Sequence, residues 1–77
     1  MKASEIIGEQ ISIGRKLKRM TQADLGKALG LGQKMISAYE RGVSIPPADK
    51  FCQMIQILDL NCERLIYQIT KECIRET

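Results

Sequence analysis

Residues 21–42 read TQADLGKALGLGQKMISAYERG. Thr21 is a strong helix N-cap, because its hydroxyl can accept the N–H three residues on, and Asp24 stands where the acidic partner of a capping box belongs. The helix it opens, QADLGKAL, meets Gly30, whose tolerance of positive φ makes it a left-handed stop. A second helix begins just after Gly32, runs QKMISAYER and ends at Gly42. Leu25, Leu29, Leu31 and Ile36 are apolar at spacings that face one core. Gly26 falls where the two helices must cross closely, and it meets that demand at a propensity cost of about 1 kcal/mol relative to alanine. The block is thus two short helices joined by a tight turn. The polar surface of the second offers Gln33, Lys34, Ser37 and Ala38: Gln and Lys suit the edges of DNA bases, and Ser and Ala leave room for close approach.

The same punctuation continues outward. Ser4 can cap a first helix running to about Arg19, with Ile7, Ile11 and Leu17 near one face and with Gly8 and Gly14 lowering its propensity. After Gly42, VSIPP forms a loop. Pro47 suits the first turn of a fourth helix that carries Ala48, Phe51, Met54, Ile55 and Leu58 inward. Asn61 caps a fifth helix from Cys62 to about Arg75. β-Branched residues never alternate over five or more positions, so strands are not expected. The connections are short, so neighbouring helices must pack closely. The reading is all-α: one compact five-helix domain over residues 1–77, with an extended C-terminal helix.

Composition narrows the function. The chain has 77 residues, room for one domain, and 44% hydrophobic content, enough for a core. No apolar run approaches the roughly 20 residues that span a bilayer, and MKASEIIGEQ lacks a secretory apolar region, so a cytoplasmic protein with no membrane partner is expected. There is no histidine, and the three cysteines, Cys52, Cys62 and Cys73, form no CxxC. Zinc-finger geometry, histidine acid–base chemistry and Cys–His nucleophiles are therefore excluded. Without a phosphate-binding glycine loop or a carboxylate pair in a plausible site, an enzyme is not expected, nor a metal, cofactor or small-molecule ligand. The thiols read as reduced and mostly buried, the alternative being a cysteine link between protomers. Net charge is +3, but residues 15–41 hold seven basic and two acidic residues, a local surplus of five. Such a basic segment is the footprint of a polyanion binder, or else an ordinary solvated face.

In this register the sequence resembles the XRE-type helix-turn-helix family of lambda repressor and Cro-like proteins. The resemblance covers about residues 7–66. Thr21-Gln22 matches the start of the family's second helix, Gly30 its turn glycine and Ile36 its buried core position. Tyr39-Glu40-Arg41-Gly42 matches the end of its recognition helix, Pro46 onward its fourth helix, and Asn61-Cys62-Glu63-Arg64-Leu65-Ile66 its closing motif. The resemblance implies that Gln33 and Lys34 reach bases, with Lys34 equally able to serve as a phosphate contact, and that Ser37 and Ala38 touch the groove floor or remain solvent-exposed. It implies a phosphate contact for Gln22, where backbone N–H groups and the helix dipole favour an anion. It implies an ion pair between Arg15 and Glu40 whose arginine also reaches phosphate, and a phosphate contact for Arg41. The loop 43–47 departs from many relatives in lacking basic residues. Backbone N–H groups of Gly42, Val43 and Ser44 could hold phosphates there, or Lys16, Lys18, Arg19 and Lys27 could supply the contacts. Gly32 replaces the usual Ser or Thr cap, at a cost of a few tenths of a kcal/mol.

In the fifth helix Leu65, Ile66, Ile69 and Cys73 share one face. The first two can pack inside the core, whereas Ile69, Cys73 and Ile74 extend past it. The stripe of Ile66, Ile69 and Cys73 reads as the interface of a homodimer, within a dimerisation element spanning residues 61–77. The function expected is a dimeric, sequence-specific regulator of transcription on double-stranded DNA with a palindromic operator, Cro-like or like a restriction–modification controller, bacterial or phage-encoded. An antitoxin-type interaction module with secondary DNA binding is the alternative; it would call for a partner-binding segment that neither terminus obviously supplies.

Overall fold

The computed structural model describes residues 2–76, with the side chains of 73–76 outside the description. Five helices follow in order: α1 (Ala3–Leu17), α2 (Gln22–Leu29), α3 (Gln33–Glu40), α4 (Ala48–Leu58) and α5 (Cys62–Glu76), with no strand among the described residues. The all-α expectation therefore holds.

The local signals around the α2–α3 unit act as expected. The Asp24 N–H donates to Thr21 Oγ1 and the Thr21 N–H to Asp24 Oδ2, both at 2.9 Å, so aspartate closes the capping box. Hydrogen bonds to the Asp24 carboxyl, first from the Thr21 backbone N–H and then from the Thr21 hydroxyl, hold it below its ordinary pKa. Gly30 takes φ +70° and Gly42 φ +74°, each just after a helix. In the turn, the Leu31 N–H donates to Gly26 O at 2.7 Å. Gly26 is needed for a reason other than helix crossing: a Cβ there would lie 2.6 Å from Leu31 O, in the backbone of the turn itself. The α5 cap also forms as expected, the Arg64 N–H donating to Asn61 Oδ1 at 3.0 Å.

Elsewhere the boundaries shift. Lys2, not Ser4, occupies the N-cap of α1, and its own N–H donates to Glu5 Oε1 at 2.9 Å. The helix closes at Leu17 rather than Arg19, which sits in the following turn at φ +57°. Leu17, expected on the apolar face, is 78% exposed. Pro47 is the N-cap of α4 rather than a first-turn residue, and Ala48 is exposed rather than inward.

Ile7, Ile11, Leu25, Leu29, Ile36, Tyr39, Met54 and Leu58 form the core, and Leu31, Phe51 and Ile69 pack against it. Gly8 and Gly14 prove to be packing positions. A Cβ at Gly8 would stand 2.8 Å from Glu40 O and closer still to Tyr39 O, so α1 lies directly on the end of α3. A Cβ at Gly14 would meet Leu60 Cδ2 at 2.8 Å. On α5, Leu65 is buried as expected, but Ile66, expected in the core, is 54% exposed. Ile69, expected beyond the core, packs against it. The cause is rotational: α5 turns its Leu65–Ile69 edge toward the body of the domain and leaves Ile66 outside. The expected placement of Cys73 and Ile74 lies outside the described side chains. Cys52 and Cys62 are exposed thiols, not buried ones, since they fall on the outer side of α4 and the first turn of α5.

Candidate nucleic-acid interface

The candidate surface begins with α3. Its inward positions, Ile36 and Tyr39, are 0% and 4% exposed. At 100° per residue, Gln33, Ser37, Arg41, Lys34 and Ala38 follow one another around the opposite side. Gln33, Lys34 and Arg41 are exposed, and Ser37 and Ala38 are half-buried. Among the described residues, no other element covers Gln33 or Lys34. Arg41 Nε donates to Ser37 Oγ at 3.2 Å, so the arginine lies along the polar strip. Met35, which composition alone did not single out, is 43% exposed at the edge of that strip.

A hydrogen-bonded bracket fixes α3 against α1 and α2. Arg15 Nε donates to Glu40 Oε2 at 2.6 Å, Arg15 Nη2 to Glu40 Oε1 at 3.1 Å and Arg15 Nη1 to Met20 O at 2.7 Å. Gln22 Nε2 donates to Glu40 Oε1 at 3.2 Å. The Arg15 and Glu40 side chains are 12% and 7% exposed, so the pair is shielded from water at one edge of the interface. Burial alone would raise the Glu40 pKa, but the hydrogen bonds from Arg15 and Gln22, the Arg15 charge and a Ser12 hydrogen bond outweigh it, and the net shift is downward. The Arg15 pKa is raised, first by its hydrogen bond to Glu40. Arg15 thus spends three of its five N–H groups inside the protein.

The remaining cations divide. Lys16, Arg19 and Lys27 are exposed. Lys18 Nζ is paired with Asp59 Oδ2, which draws it away from that side toward the end of α4. Lys50, outside the expected basic set, donates from Nζ to Leu29 O at 2.8 Å and satisfies a carbonyl at the end of α2. In the loop after α3, the Gly42 and Val43 N–H groups, expected to face phosphate, donate instead to Tyr39 O at 3.1 Å and Ala38 O at 3.0 Å. Closing the end of α3 takes up both donors. The Ser44 N–H makes no such bond among the described residues. Val43 and Ile45 are 67% and 58% exposed.

Two short helices in capped, tight-turn register, the second with an uncovered polar side, define a helix-turn-helix domain. The Helix-turn-helix family model matches residues 11–65. The chain belongs to this family, in its XRE-type branch. An uncharacterized HTH-type transcriptional regulator of Bacillus subtilis (strain 168), YazB, is 34% identical over 62 residues, covering 80% of this chain and 90% of that protein. No solved structure matches the chain. Among the described residues, no helix is long and apolar enough to cross a membrane.

Proposed function

We propose that this protein is a DNA-binding transcriptional regulator that inserts α3 into the major groove, binds as a homodimer and reads a palindromic operator. The observation that carries the reading is the uncovered side of α3. Gln33 and Lys34 project from its first turn, where residues of a recognition helix meet base edges. Glutamine can pair in bidentate fashion with adenine N6/N7, and lysine reaches guanine O6/N7 or a neighbouring phosphate. Ser37 and Ala38 line the closer part of the groove. Gln22, Lys16, Arg19, Lys27, Arg41 and the Ser44 N–H flank the strip and serve phosphates. Arg15 acts chiefly by holding Glu40, and an Nη hydrogen left over reaches the backbone. Its cognate family and the regulator named among its relatives support the same function.

Dimer symmetry then sets the target: two half-sites spaced about 34–36 Å, one helical turn of DNA. Selection of bound duplexes from a random pool gives both the consensus and that spacing. A specific site should bind on the order of 10³-fold or more above random duplex, with a steep salt dependence. On the selected site, Gln33→Ala should relax the preference at one or two base pairs, whereas Lys16→Ala should weaken all sequences alike. The reverse pattern, or equal binding of all duplexes, would overturn the assignment of faces.

A further inference from the structure

We propose that Met35 is a further specificity-determining residue, whose side chain packs on the 5-methyl group of a thymine in the major groove. The inference rests on the reading of α3 given above and adds the chemical feature that is recognised. Met35 is the third residue of α3 and is 43% exposed. Ile36 and Tyr39 of the same helix are in the core. Among the described residues, Met35 belongs neither to that core nor to the partly buried apolar side chains packed against it. Folding therefore does not account for an apolar side chain at this position.

Its place on the helix is beside the polar strip. At 100° per residue, Met35 lies about 60° beyond Ala38 and about 100° from Lys34, so it borders the strip on the side away from Gln33. It stands in the first turn of α3, the turn that a recognition helix presents to base edges. Long side chains on a helix lean toward its N-terminus, here toward Gly32, where the space that a Cβ would fill is open. Ala38, three residues on, adds only a methyl group beside it.

The chemistry of the side chain selects what it can touch there. A thioether has no N–H or O–H to donate and accepts hydrogen bonds only weakly, so it serves neither phosphates nor the polar edges of bases. The apolar group that a base pair shows in the major groove is the thymine 5-methyl. The unbranched, polarisable methionine chain adapts to so small a target. Burial of one methyl group corresponds to about a fourfold change in Kd.

The test uses the full chain and a duplex selected from the random pool. Each thymine of that duplex is replaced in turn by deoxyuridine, which removes only the methyl group, and binding is read by fluorescence anisotropy. The expected result is a position at which the parent protein loses about fourfold and Met35→Ala loses nothing. Met35→Leu, which keeps the side chain apolar, should restore the response. Both variants should melt close to the parent, because Met35 stands outside the core. A methyl response that persists unchanged in Met35→Ala belongs to another residue, Ala38 foremost, and overturns the proposal. Specific binding with no response at any thymine overturns it too, including the case in which Met35→Ala weakens all duplexes alike. Failure to select any duplex above random sequence removes the reading of α3 itself, and the proposal with it.

Discussion

Gly8→Ala is the sharpest test of how α1 holds the recognition helix. The added methyl would stand 2.8 Å from Glu40 O and nearer still to Tyr39 O. Both are main-chain oxygens in the last turn of α3, and Tyr39 O already accepts the Gly42 N–H at 3.1 Å. Neither can rotate away as a side chain would. The helices must separate by several tenths of an ångström, and overpacking against fixed atoms costs about 1–3 kcal/mol, here at the upper end. Replacing a mid-helix glycine by alanine returns at most about 1 kcal/mol. The net loss is then about 2 kcal/mol, which for a domain of this size lowers Tm by roughly 8–16 °C. Gly14→Ala is the internal control. Its methyl would meet Leu60 Cδ2 at 2.8 Å, the far end of a flexible side chain, and Leu58 Cβ at 3.2 Å, which must give by a few tenths of an ångström, so much of the propensity gain of up to about 1 kcal/mol is offset and Tm should fall by far less than in Gly8→Ala. Thermal unfolding followed by circular dichroism reads both. A Gly8→Ala protein that melts at or above the parent temperature would refute the close packing of α1 on α3.

Three further outcomes follow from other contacts. The Glu40 pKa is lowered in the folded state, so its contribution is fully present above the ordinary carboxylate value of about 4.3 and is lost as pH falls through the lower folded value. Glu40→Gln should therefore lower stability at neutral pH and flatten the acid limb of a Tm–pH curve, and an acid limb identical to the parent's would show that the pair does not act this way. Arg19 sits at φ +57°, where a residue with a Cβ is strained by about 1–2 kcal/mol, so Arg19→Gly should hold or raise Tm by a few degrees while weakening DNA binding uniformly across sequences. A clear drop in Tm would count against the strain. Ile66→Glu should weaken self-association in sedimentation with little change in monomer stability, whereas Ile69→Glu should cost stability as well, because only Ile69 also packs on the core. Equal effects on both quantities in the two variants would contradict the rotation of α5.

The legible features of this fold are those whose cause lies within a few residues. Thr21 with Asp24, Gly30, Gly42 and Asn61 announce helix ends because each cap is closed by a group at most four positions away. The polar side of α3 follows from the same local periodicity. What escaped is set by distant partners. Gly8 looks like a weak helix residue until the end of α3 is laid across it. Lys18 reads as one more free cation until Asp59, 41 residues on, is brought beside it, and Lys50 shows no signal at all until α4 meets the last carbonyls of α2. The loop donors illustrate the limit differently. Gly42 and Val43 look free to meet phosphate, but ending α3 left-handed at Gly42 consumes their N–H groups in the cap. The side of α5 that faces inward could not be read either, since Leu65, Ile66 and Ile69 lie within one broad apolar arc and only the angle of α5 to α1 chooses among them.

The division of α3 into an inner and an outer half has a consequence for how such a protein changes over time. Ile36, Tyr39 and the bracketed Glu40 carry the anchoring, while Gln33 and Lys34 are exposed, and the Ser37 hydroxyl accepts a hydrogen bond from Arg41 on the same outer side. On the function proposed above, target preference can therefore drift, or be transplanted from a cousin by exchanging a handful of outward letters, without the scaffold having to be reinvented each time. On that reading, a genome would gain new control circuits from one architecture at little thermodynamic risk.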